Sequence, residues 1–73
     1  AQLSWTYVGN GGKHFNVGLF HGPNTGHLMV HCNKQVVLID FNVLESRTYP
    51  LFLDDELLEL KVDLSKGRFS YGL

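Results

Sequence analysis

Between Leu58 and Leu64 the chain alternates strictly, with Leu58, Leu60, Val62 and Leu64 apolar and Glu59, Lys61 and Asp63 charged. Successive side chains on a strand point to opposite faces, so this run reads as a strand with one buried face and one wet face. The alternation outweighs the helix preference of Glu56 and Glu59, because Val62 and Asp63 are poor helix formers. The same period of two recurs along the chain. Phe15, Val17 and Leu19 alternate with Asn16 and Gly18, and Phe69, Tyr71 and Leu73 alternate with Ser70 and Gly72. Leu28, Val30 and Cys32 share one face, and His27, Met29 and His31 share the other.

Turn residues separate these runs at short intervals. Gly9-Asn10-Gly11-Gly12 follows a first strand near Ser4–Val8, and His21-Gly22-Pro23-Asn24-Thr25-Gly26 follows the second. Asn33-Lys34 is short enough for a tight hairpin, since Asn33 tolerates positive φ. Asp54-Asp55 and Ser65-Lys66-Gly67 close the later turns. Gln35–Val43 is apolar on both faces and is expected to be a central strand covered on both sides. Pro50 donates no ladder hydrogen bond, so Arg47–Leu53 is expected at a sheet edge or with a bulge. The sum is an all-β fold, a compact antiparallel sandwich or barrel-like meander of about seven short strands.

Length and composition narrow the function classes. The 73 residues accommodate a single domain, 1–73, and such a chain buries only about 60% of its unfolded surface, leaving little room for a deep cleft. A chain that starts at Ala1 fits an excised piece of a longer one. The hydrophobic fraction of 44% is that of a globular domain. The net charge is −1 and the six basic residues are scattered. Neither the basic stripe of a nucleic-acid binder nor the clustered charge of a membrane-surface protein is present. One cysteine, Cys32, rules out an intrachain disulfide. Small secreted domains usually depend on several, so a reducing, cytoplasmic setting is expected.

Four histidines, His14, His21, His27 and His31, invite a metal reading. His27 and His31 would be about 13 Å apart along a strand, too far for one ion. The histidines are therefore expected on the surface and in turns, with no metal and no cofactor. Cys32 falls on the apolar face and its neighbour His31 on the opposite one, so a nucleophile pair is not expected. Asp54, Asp55 and Glu56 lack calcium-loop spacing and read as a solvated turn. The glycine-rich Gly9–Gly12 loop lacks the following helix and Lys-Ser pair of a phosphate site. Trp5 is expected in the core rather than as a stacking platform. No catalytic residue is assigned.

The order Trp5, Gly12-Lys13-His14, a strand, His21-Gly22, Thr25-Gly26, an apolar strand, a tight turn and Leu38 resembles the Fas apoptotic inhibitory molecule family. Phe69 and Tyr71 fall where that family places an aromatic strand. The resemblance spans most of the chain. It departs at Asn33-Lys34, where the family usually has Asp-Gly, and is loose over Glu45–Leu57. The resemblance implies an all-β fold without catalytic residues. It also implies a cytosolic role in restraining death-receptor apoptosis and in countering protein aggregation.

These readings point to a non-catalytic protein-interaction module that takes protein partners by edge-strand addition, with a homodimer allowed. Arg47, Tyr49, Leu51, Arg68, Phe69 and Tyr71, on the two expected edges, are the candidate partner-binding residues. Phe20, Met29 and Leu57 lie opposite the main apolar stripes and would form a second apolar surface unless another sheet covers them. Two alternatives are a structural subunit of a larger assembly and a sugar-binding sandwich. His14-Phe15-Asn16 resembles a galectin string, although the arginine that follows in galectins is here Gly18.

Overall fold

The computed structural model describes all residues from Ala1 to Leu73. Seven strands account for most of the chain: β1 (Gln2–Val8), β2 (His14–His21), β3 (Leu28–Cys32), β4 (Gln35–Asp40), β5 (Arg47–Leu53), β6 (Glu56–Ser65) and β7 (Arg68–Gly72). They form two antiparallel sheets in sequence order, β1-β2-β3-β4 and β5-β6-β7. The all-β reading therefore holds, in its sandwich form. No helix is long and apolar enough to cross a membrane.

The alternation read from the sequence sets which face each sheet buries. Phe15, Val17 and Leu19 of β2 and Leu28, Val30 and Cys32 of β3 meet Leu51 and Leu53 of β5 and Leu60 and Val62 of β6 in one core. Trp5, Tyr7, Leu38, Tyr49, Leu58, Phe69 and Tyr71 pack around its margin. Trp5 lies opposite Val17, on the inward side of β1. Burying a core side chain of this size contributes about 1.5–3 kcal/mol.

The turns follow local chemistry. Asn33 and Lys34 take φ of 49° and 69°, the pair of positive values that a two-residue type I′ hairpin needs. Lys66 and Gly67 repeat the arrangement at 52° and 74°. Gly26, at φ 81°, has an additional constraint. A β-carbon there would sit 2.8 Å from both Asn42 Cα and Val43 N, so only glycine lets the two segments touch.

The central-strand expectation is overturned. Gln35–Val43 is not a central strand: β4 stops at Asp40 and is the last strand of its sheet, paired only with β3. Val36, Val37 and Ile39 are 54%, 42% and 57% exposed. Apolar residues on both faces mark a strand that is able to be covered, but they do not place a neighbour beside it. Val43 leaves the strand direction and turns between the sheets, where it is fully buried. The register of β3 against β4 shifts between Val30 and His31, with Val30 opposite Leu38 and His31 opposite Val36. Val37 is thus the extra residue of a bulge.

Candidate functional site

Each strand end of the two sheets leaves an edge: β1 and β4 on the larger, β5 and β7 on the smaller. An edge strand presents unpaired backbone N–H and C=O groups, which another strand can pair with. The edges expected at Arg47–Leu53 and Arg68–Leu73 are present. Their six candidate side chains do not form one patch, because β6 separates β5 from β7.

On β5, Arg47 and Tyr49 turn to the same partner. Arg47 Nη1 donates to Asp40 Oδ2 at 2.9 Å, and the Tyr49 hydroxyl donates to the same oxygen at 2.7 Å. This cluster ties β5 to the end of β4 and so closes one end of the gap between the sheets. The Tyr49 hydrogen bond, the Phe41 backbone amide and Arg47 together hold the Asp40 carboxyl below its usual range. Burial, with Asp40 alongside, pushes the Tyr49 hydroxyl up. Leu51 is 4% exposed and belongs to the core, so at that position β5 offers only its backbone.

On β7, Arg68 is exposed while Phe69 and Tyr71 are half-buried. Both aromatic residues meet His21, the one buried side chain here that is neither apolar nor a glycine. This corrects the reading of His21 as a surface turn residue. The Tyr71 hydroxyl lies 2.5 Å from His21 Nδ1, and Val43 O lies 2.8 Å from His21 Nε2. A carbonyl only accepts, so Nε2 donates to Val43 O, and in the neutral imidazole Nδ1 accepts from the Tyr71 hydroxyl. The Phe69 ring stands edge-on to the imidazole, 4.6 Å between centroids. Burial pushes the Tyr71 hydroxyl up. His21 therefore joins β2, the inter-sheet connection and β7 through both ring nitrogens. A signal for this was present in the sequence: His21 continues the buried parity of Phe15, Val17 and Leu19.

The remaining histidines are exposed, and no three of His, Cys, Asp or Glu come together as a metal set. Cys32 is 8% exposed, and burial, with the Asp54 charge, pushes its thiol up, away from the reactive thiolate. The acidic turn is not merely solvated. Lys13 pairs with Asp54, and Glu56 accepts from the Tyr7 hydroxyl at 3.3 Å and the Asn10 amide at 2.9 Å. These contacts anchor the β1–β2 turn to the second sheet.

On the outer face of the larger sheet, the His31 ring lies over Gly18, where a β-carbon would come within 2.2 Å of it. Ser4, Asn16, Asn33 and Lys34 complete a shallow depression of about 310 Å³ there. It holds no aromatic platform, because Trp5 faces the core. Phe20 and Met29, cross-strand neighbours on this outer face, are 41% and 37% exposed. Phe52 and Leu57 form a second exposed pair, on β5 and β6. The two patches belong to different sheets and do not merge into one surface.

Compared with known proteins, the chain matches no family model, no curated protein and no solved structure.

Proposed function

We propose that this domain is a non-catalytic protein-interaction module that takes an extended segment of a partner along an open strand edge. The observation that carries the reading is β4. It is an edge strand with Val36, Val37 and Ile39 exposed and no lysine or proline in it, interrupted only by the bulge at Val37. β5, by contrast, carries Pro50 and commits Arg47 to Asp40.

Two further points support it. Three groups able to do covalent or acid–base chemistry are held by other contacts: Cys32 in the core, His21 between Tyr71 and Val43, Glu56 at the β1–β2 turn. The resemblance to the Fas apoptotic inhibitory molecule family supplies the biological role, which is cytosolic restraint of apoptosis and of protein aggregation. An edge that pairs with exposed strands suits the second task, because aggregates grow by adding strands.

The test is a titration of the 15N-labelled domain with unstructured, β-prone ten-residue peptides. Zinc, copper, calcium, nucleotides and simple sugars are tested in parallel by thermal melt. The reading expects amide shifts along β1, β4, β5 or β7 with peptide. A ligand at 100 times its Kd adds about 2.7 kcal/mol to stability, so any true small ligand will show in the melt. A metal, nucleotide or sugar that raises Tm, with no peptide moving an edge amide, overturns the reading.

A further inference from the structure

We infer that the β4 edge is built for a second copy of this chain, paired antiparallel about a twofold axis between Val37 and Leu38. This deepens the interaction-module reading and rests on it.

The register of β4 against β3 sets which way each β4 side chain faces. Val36 lies opposite His31, and Ile39 opposite Met29, both on the outer face of the sheet. Leu38 lies opposite Val30, Asp40 opposite Leu28 and Gln35 opposite Cys32, all on the core side. Val37, the bulge residue, lines the core-side opening with Phe15, Cys32 and Leu53. From Gln35 to Asp40 the faces read inner, outer, inner, inner, outer, inner. That order is the same in both directions.

Antiparallel pairing puts residues of the same face opposite each other. In an unbulged six-residue strand, a twofold axis through the middle would set inner residues against outer ones. The extra residue at Val37 removes that mismatch. Gln35 then faces Asp40 of the second copy, Val36 faces Ile39, and Val37 faces Leu38. A partner strand of ordinary alternation, like β3, has to leave Val37 without a residue opposite it. A second copy carries the same extra residue at the same place and stays in phase throughout.

Charge agrees with the geometry. Asp40 is the only charged residue of β4, and Arg47 already neutralises it at 2.9 Å. Across the twofold axis it meets the neutral amide of Gln35, so no like charges oppose. The two outer pairs place the two most exposed apolar residues of β4, Val36 and Ile39, against each other twice. Two four-stranded sheets become one sheet of eight, and the exposed β4 edge disappears. Pairing over one short strand buries less than the standard interface, so the dimer is a transient one that fills at high protein concentration.

The experiment is analytical ultracentrifugation across a wide concentration range, on the unaltered chain and on Val36→Glu and Ile39→Lys. Both positions are more than half exposed, so the variants keep the core, which a thermal melt verifies. The sedimentation coefficient of the unaltered chain is expected to rise with concentration, and each variant alone to associate at least about tenfold more weakly. An equimolar mixture of the two variants is expected to regain association. In that pair, Glu at one copy's position 36 meets Lys at the other's 39, and the second contact stays Val against Ile. Three results overturn the inference: a monomer at every concentration, a dimer indifferent to both variants, or a mixture no better than its components. If the chain stays monomeric while peptides still shift edge amides, the second-copy inference fails and the interaction-module reading stands.

Discussion

The imidazole of His21 and the hydroxyl of Tyr71, fifty positions apart in the chain, meet at 2.5 Å and bind the two sheets together at one end of the core. Replacing His21 with alanine leaves the Tyr71 hydroxyl and the Val43 carbonyl without their partner and opens a cavity beside Phe69. The expected loss is about 3 kcal/mol, whereas Tyr71→Phe, which removes one hydroxyl, loses about 1–2 kcal/mol. Urea unfolding of the two single variants and the double variant checks this. A loss in the double variant smaller than the sum of the singles shows the coupling.

Gly26→Ala is expected to be among the most damaging single-methyl additions in the chain. The new β-carbon meets backbone atoms of Asn42 and Val43 rather than a movable side chain, at a φ of 81°. The cost is about 2 kcal/mol or more. Gly11→Ala, at a similar φ but with nothing within 4 Å, is the control and loses less. Thermal melts of the two variants separate the clash from the torsional cost.

Lys34→Gly runs the other way. Lys34 holds a φ of 69° that a side chain disfavours, and Asn-Gly is the pair best suited to a type I′ turn. A gain of about 0.5–1 kcal/mol is expected, seen as a rise in Tm of about 2–8 °C for a chain of this size.

Acid sensitivity is expected to involve Asp40. Its carboxyl has a lower pKa folded than unfolded, held down first by Tyr49, then by the Phe41 amide and Arg47. Such a group adds stability above its unfolded pKa and loses it as pH falls through the folded value. Its contribution is therefore complete at neutral pH and lost below about pH 4. Asp40→Asn is expected to shrink the drop in stability between about pH 5 and pH 3, measured by urea unfolding at each pH.

Much of the sandwich was legible in the chain because its strands obey one rule. The odd-numbered residues of β2 and the even-numbered residues from Leu58 to Val62 turn inward, as their alternation requires. Asn33-Lys34 formed its hairpin as the residues dictate. β4 was misplaced because periodicity reports what a strand's faces prefer and not where the strand sits in the sheet. His21 was misread because residue type was given more weight than parity. Its position in the Phe15, Val17, Leu19 series already placed it inside. The role of Glu56 at Asn10 and Tyr7 was not legible, since nothing local joins residues so far apart in sequence.

Every hydrogen-bonded strand pair in this protein joins consecutive strands, so each sheet is a simple meander. The ladders therefore close over short loops, and hairpins of this kind assemble on the microsecond scale. Neither meander can shield its own apolar face, so the two gain most of their stability only on meeting. Cooperativity in folding is thus expected to centre on one late event, the docking of two tethered half-sandwiches. Val43, carried on the tether itself and fully buried at the end, is the residue whose burial dates that event.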